Sequence, residues 1–532
     1  MCGIFCYISN NVIKHRAIDK NIEYAFNLIK HRGPDNSALI SHGNIIFGFH
    51  RLSIMDVSNN GMQPFEYDNY TMICNGEIYE YESLKNEIVD YEFKSTSDCE
   101  IIIPLFMKYG VKCFEKLSSE FACILRMNDT IYVARDGPVG NRPLFYCMRN
   151  NGDIVFCSEA KTIVYLVDKD EQIKQFPTGH YWCSNDPHDF ITYNNVSMYS
   201  VDPIIADETE ILKEINIRLT DAVRKRLISD VPYGFLLSGG LDSSLVVAIA
   251  RRILGKDAKI RTFSVGLTDS SDLISARKVA NELNTEHTEF IFNVEDGINA
   301  IPDVIWHLES PDQTTIYAGT YQYLLCKKIR ETTDIKVLIG GELADEVNGS
   351  YRYIGLAPTK DDAIKENIKL LSEVHYYDVL RADRMISANS IESRVPFSET
   401  EFVKYMLQVD ISHRMPTVKM EKEYLRKAFV GYLSDELLFR RKEAFSDGVG
   451  HSWVTDVKKM CENKYTDEEF KTKCALYTHM KPFTKDDLFF REMFDELFKS
   501  HCELIPHKWI PNPDWNLGLT ESSARFLKNY NE

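Results

Sequence analysis

The stretch Phe235-Leu236-Leu237-Ser238-Gly239-Gly240-Leu241-Asp242-Ser243-Ser244 decides the reading of this 532-residue chain. An apolar run ends in Ser-Gly-Gly, and a helical pattern over residues 243–253 follows. This is a short buried strand turning into a helix. Glycines let backbone N–H groups come close to an anion. The helix start adds free N–H donors and a partial positive charge. Ser238, Ser243 and Ser244 offer hydroxyls. Asp242 would repel phosphate unless a cation stood between them, which implies Mg²⁺. The string lacks the G-x-x-x-x-G-K-[ST] spacing of a Walker loop.

Outward from this turn, strands at 234–237, 261–265 and 336–338 alternate with helices at 210–227, 243–253 and 276–283. That alternation predicts a parallel sheet. Beyond about residue 360 the pattern is mainly helical. The acidic run Glu342-Leu343-Ala344-Asp345-Glu346 follows a strand, so it is expected at the carboxyl edge of the sheet, where ligands bind. Asp345 could share a metal with Asp242. Asp378, Arg381, Glu392 and Arg394 come later. Arg440-Arg441-Lys442 brings positive charge, with Lys442 a candidate to stabilise developing negative charge.

Residues 1–195 read differently. Short β-like runs fall at 3–8, 45–54, 71–73, 122–127, 130–134, 143–147 and 154–157. Asn59-Asn60-Gly61, Asn75-Gly76 and Asn151-Gly152-Asp153 read as turns between them. Helical stretches are expected near 17–30, 81–89 and 98–108. This predicts an α+β domain of mostly antiparallel sheets over 2–195. Residues 196–209 form a linker, and a second domain covers 210–532.

Composition narrows the function. Lys+Arg number 62 and Asp+Glu 79, for a net charge of −17, which disfavours a nucleic-acid partner. No run approaches the ~18 apolar residues of a membrane span. Lys14, His15, Arg16, Asp19 and Lys20 break any secretory signal. Thirteen cysteines without C-x-x-C spacing suggest reduced thiols in a cytosol. Oligomeric state is not legible, and a homodimer is compatible with the chain.

The start, Met1-Cys2-Gly3, suits removal of Met1. A terminal Cys2 would then carry a nucleophile and a base, its α-amine having a pKa of about 7.7–8.0. Asn75 and Gly76 could donate to an oxyanion, although Asn-Gly is equally a hairpin turn. Arg51 could hold a carboxylate and Asp98 an ammonium.

The order His31-Arg32-Gly33-Pro34-Asp35, Arg51-Leu52-Ser53-Ile54, Asn75-Gly76-Glu77-Ile78-Tyr79 and Ser97-Asp98-Cys99-Glu100 resembles the class II glutamine amidotransferases, N-terminal-nucleophile hydrolases of αββα architecture. That resemblance implies Cys2 as nucleophile, an oxyanion hole of Asn75 and Gly76, and a glutamine site of Arg51, Leu52, Ile54, Asn75, Gly76, Glu77 and Asp98. The 235–244 string resembles the PP-loop of ATP pyrophosphatases, whose domain is a parallel sheet with helical additions, like the adenine nucleotide α-hydrolases. Together the two halves resemble the glutamine-hydrolysing asparagine synthetase family. The family implies glutamine, aspartate and ATP as substrates and Mg²⁺ as metal. It implies nucleotide contacts at Leu237, Ser238, Gly239, Gly240, Asp242, Ser243, Ser244, Val265, Gly340, Gly341 and Lys442. It also implies a metal at Asp242 and Asp345, aspartate or intermediate contacts at Glu342, Asp378 and Arg381, and Glu342 and Lys442 in catalysis.

The chain departs from the family pattern at several places. Residues 135–143 (RDGPVGNRP) carry one extra residue. Gly340-Gly341-Glu342-Leu343-Ala344-Asp345-Glu346 stands where S-G-E-G-S-D-E is common. Ser390 replaces a usual glycine, and Ser398-Glu399 replaces Leu-Asp. Two alternatives stay open at this level: a related ligase acting on another adenylated acid, and a non-catalytic sensor on this scaffold.

Overall fold

The computed structural model describes residues 1–10, 18–268, 270–416, 420–440, 452–499, 501–515 and 517–518. Lys442 therefore lies outside the described residues.

The first half contains two six-stranded sheets. One runs Lys174–Gln175, Phe145–Met148, Ile154–Cys157, Gly3–Ile8, Ile45–Arg51, Asn36–His42. The other runs Asp186–Thr192, His180–Cys183, Thr130–Arg135, Glu120–Met127, Tyr70–Glu77, Phe65–Tyr67. Each pair within them is antiparallel. Successive side chains on a strand face opposite sides, and Gly3–Ile8 shows the consequence. Ile4 and Cys6 enter the core between the sheets beside Phe47, Phe156 and Trp182. Phe5 and Tyr7 face the outer layer, with Phe26, Ile163 and Val164. Helices Lys20–Asn27 and Ala160–Leu166 cover that face, and Ile102–Tyr109 covers the other sheet. The layers are therefore αββα, as expected.

The second half is built on a five-stranded parallel sheet. Its order is Glu286–Ile291, Arg261–Gly266, Tyr233–Leu236, Val337–Ile339, Glu392–Arg394. The first strand in sequence lies in the middle, so the order reverses beside it and a crevice opens at its carboxyl end. The Ser238–Ser243 turn and the 340–346 loop both leave the sheet there.

One local expectation is corrected. Asn75-Gly76 is not a turn but part of the strand Tyr70–Glu77, with Asn75 opposite Ala122 and Gly76 opposite Phe121. Long-range pairing overrides the local turn preference of Asn-Gly. The helix expected over 81–89 is shorter, Tyr81–Lys85.

The departures from the family pattern have structural consequences. Leu343 and Ser390 stand where glycine is usual, and both adopt left-handed backbone, with φ of 73° and 56°. Such conformations are strained for residues with a β-carbon. Ser390 Oγ donates to the His31 carbonyl at 2.7 Å, and Asn141 of the lengthened loop donates to Ser398 Oγ at 2.9 Å. Three departures thus take part in hydrogen bonds across the junction of the two halves.

Candidate active sites

Cys2 begins the strand that runs through the middle of the first sheet. Its backbone N–H donates to Asn75 Oδ1 at 2.9 Å, and its thiol points to the Leu52 carbonyl at 3.8 Å. Asn75 Nδ2 is buried without a partner among the described residues. Arg51, Leu52, Ile54, Gly76, Glu77 and Asp98 line the same small pocket. Arg51 spends donors on backbone carbonyls, at 2.6 Å to Ser58 and also to Asp56. Asp98 accepts from the Ile78 N–H at 2.6 Å; burial nevertheless pushes its carboxyl up to about 6. Burial also raises the Cys2 thiol, opposed by the nearby α-ammonium.

With Met1 in place, the nitrogen of Cys2 is a peptide amide and cannot act as a base. The ammonium belongs to Met1, which is buried and lies 3.2 Å from Glu392 Oε2. Glu392 comes from the parallel sheet yet lines the Cys2 pocket. Burial opposes its ionisation, but the Met1 ammonium and the Arg394 and Arg142 guanidinia outweigh it and hold Glu392 down at about 2. Arg394 also reaches Glu77 at 3.0 Å. Burial pushes Glu77 up against the pull of Arg394. The glutamine-site candidate Glu77 is thus anchored by the other half of the chain. Sequence reasoning missed Glu392 as a pocket residue, because nothing local marks a strand so distant in the chain.

The second site occupies the crevice of the parallel sheet. Leu237, Ser238, Gly240, Asp242, Ser243, Val265, Gly341, Glu342, Asp345 and Arg381 line it, joined by Ser264, Phe263 and Gln322. Gly239 turns the loop with φ of 76°, and a β-carbon there would stand 2.4 Å from the Ala276 nitrogen. Ser243 Oγ packs on Ser238 Oγ at 3.1 Å. Ser244 and Asp378 lie off the cavity wall. Ser244 is buried, its hydroxyl without a partner among the described residues, because the helix Leu241–Leu254 turns it to the core. Asp378 is set back from the cavity and pairs with Arg381 Nε at 3.2 Å and the Tyr351 hydroxyl at 3.1 Å. Gly239 and Gly340 shape the backbone rather than the cavity wall.

Asp242 and Asp345 come together as expected, and Lys422 joins them. Its ammonium lies 2.6 Å from both Asp242 oxygens and 2.9 Å from Asp345 Oδ1. Lys422 is buried in left-handed backbone, φ 56°. Burial disfavours its charge, but the two carboxylates raise it above the usual lysine range. Two carboxylates already gathered around a stand-in cation, with hydroxyls nearby, are oxygen donors of the kind Mg²⁺ accepts. The residues fit that metal. Behind them, burial and the Asp378 and Asp345 charges push Glu346 up to about 8. Lys422 escaped the sequence reading: a lysine between Glu421 and Glu423 reads as a solvated charge.

Both halves match known families. The glutamine amidotransferase domain family matches residues 1–208, and the asparagine synthase family matches 214–372 and 356–522. Together with the sandwich and the parallel sheet, these matches define a two-part glutamine amidotransferase. A probable glutamine-hydrolyzing asparagine synthetase of Acanthamoeba polyphaga mimivirus is 38% identical, covering 98% of this chain and 99% of its own. The Escherichia coli asparagine synthetase B is 37% identical over 95% and 93%, and the Zea mays enzyme 36% over 96% and 89%. The chain belongs to the family of glutamine-hydrolyzing asparagine synthetases.

Proposed function

We propose that this chain makes asparagine from aspartate, glutamine and ATP, with the division near residues 196–209 separating a glutaminase from a synthetase. Removal of Met1 would turn the Cys2 nitrogen into an α-amine beside Asn75 Oδ1. That amine takes the thiol proton as sulfur attacks the glutamine amide, and later gives it to the departing ammonia. Asn75 Nδ2 donates to the developing oxyanion. Water then releases glutamate from the thioester.

In the synthetase cavity the Ser238–Ser243 turn cradles the ATP phosphates. Asp242 and Asp345 would hold Mg²⁺, which supplies charge neutralisation at the phosphates. The aspartate β-carboxylate displaces pyrophosphate to give an acyl adenylate. Ammonia adds to that carbonyl, AMP leaves, and the surplus ammonia proton passes to Glu342. Lys442 is assigned to the departing pyrophosphate on family pattern alone. All thirteen cysteines are free thiols, which fits a reducing cytosol. No described helix is long and apolar enough to cross a membrane.

The observation that carries this reading is one cavity holding the Ser-Gly-Gly turn, a carboxylate pair already gripping a cation, and Glu342 Oε2 without a partner among the described residues. AMP and pyrophosphate release with ATP, Mg²⁺, aspartate and either glutamine or ammonia tests it. Release with another acid but not with aspartate overturns it.

A further inference from the structure

Gln322 lies in the middle of the helix Gln313–Thr332 and is 3% exposed. Its Oε1 accepts from Arg381 Nη1 at 2.6 Å, and its Nε2 donates to Glu342 Oε1 at 3.1 Å. A neutral amide therefore stands between a guanidinium and a carboxylate that line the same cavity. Opposite charges in such a place attract strongly. Direct pairing would occupy the carboxylate oxygen and the N–H groups that now face the ligand space.

A second observation concerns the same carboxylate. Glu342 Oε2 is buried and accepts no hydrogen bond from the described residues. A β-carbon on Gly340 would stand 1.9 Å from that oxygen. The present orientation of Glu342 is held by the amide at 322 and uses the space that a β-carbon at 340 would take. Buried polar atoms are almost always satisfied, so an oxygen kept open from two sides is aimed at something that arrives with substrate.

We propose that Gln322 is a positioning residue of the acceptor site, acting with Gly340. It keeps Arg381 and Glu342 apart, so that Arg381 offers N–H groups to a carboxylate of the acceptor amino acid and Glu342 Oε2 stays open to the proton of the attacking ammonia. This rests on the function proposed above. It assigns a role to the Gly340 departure: the missing β-carbon leaves room for the carboxylate.

Steady-state kinetics with ammonia as nitrogen source test it, using Gln322→Leu, Gly340→Ala and the double variant. Gln322→Leu is expected to raise the KM for aspartate at least about tenfold, the usual scale for losing a hydrogen bond to a charged group. Calorimetric ATP affinity should stay within about twofold. Because both changes act through one carboxylate, the double variant should lose less than the product of the single losses. Equal shifts for aspartate and ATP, or losses that multiply, overturn the inference. Should Gln322→Leu fail to fold, Gln322→Glu keeps the acceptor for Arg381 but repels Glu342; wild-type turnover in that variant also overturns it. Wild-type enzyme that releases no AMP with aspartate overturns the proposed function, and this role with it. AMP from wild type together with an unchanged Gln322→Leu overturns this role alone.

Discussion

The two pockets solve opposite problems. The Cys2 pocket encloses only about 30 Å³, room for a water or two, and two of its lining carboxylates, Glu77 and Glu392, are already paired with Arg394. The cavity of the parallel sheet offers about 190 Å³, the Lys422 ammonium ties the Asp242 and Asp345 carboxylates, and a third carboxylate keeps an oxygen open. The first must widen to admit glutamine, while under the proposed function the second would exchange its ammonium for Mg²⁺ as its ligand enters. The walls of the first come from both halves of the chain, whereas those of the second come from the parallel-sheet half alone. The difference teaches that the glutaminase, although it resembles a self-sufficient domain, is structurally the dependent partner.

That comparison can be broken at several points. The largest effect is expected from Cys2→Ala, which should lower glutamine-dependent synthesis by at least about a thousandfold while synthesis from added ammonia continues; loss of both would contradict two separate pockets. Next comes Arg394→Ala. It leaves Glu77 and Glu392 buried without their guanidinium, so unfolding by denaturant should show a loss of about 3–5 kcal/mol. A loss near zero would mean the junction does not depend on this ion.

Asp242→Asn should reduce AMP release about a hundredfold with either nitrogen source, leaving glutamine hydrolysis measurable. If only one nitrogen source were affected, the metal assignment would fail. The smallest effect is a pH dependence. On the family's pattern Asp98 would hold the ammonium of glutamine and must then be ionised; burial pushes its carboxyl up to about 6. Below about pH 6 it takes up a proton, so kcat/KM for glutamine should fall by about tenfold per pH unit. Ammonia-dependent synthesis should not share that limb, and a shared limb would remove Asp98 from the glutamine pocket.

How much of this was legible follows from how local each signal is. The 238–243 turn is carried by ten consecutive residues, and strand, glycines and helix start all read directly. The Gly3–Ile8 strand is legible for the same reason. Asn75-Gly76 carried a local preference for a turn that the ladder with Ala122 and Phe121 overrode. The edge strands Asn36–His42 and Asp186–Thr192 were missed because their partly exposed faces are rich in Ser, His, Asn and Asp. Glu392–Arg394 is harder still: two buried charges in three residues look like a surface loop until Glu77 and Met1 are placed beside them. Gln322 and Lys422 had no periodicity or motif to mark them, since their partners lie 20 to 180 residues away.

The placement of Glu392 in the Cys2 pocket also sets an order in time. Chains leave the ribosome at roughly 5–20 residues per second, so Glu392 follows the end of the antiparallel sandwich by about 10–40 seconds. During that interval Cys2 is already made, but Arg394 and Glu392 are not there to complete its surroundings. Their charges arrive only when the parallel sheet gains its last strand. The Cys2 pocket is thus finished only on molecules that have already made all five strands of the parallel sheet.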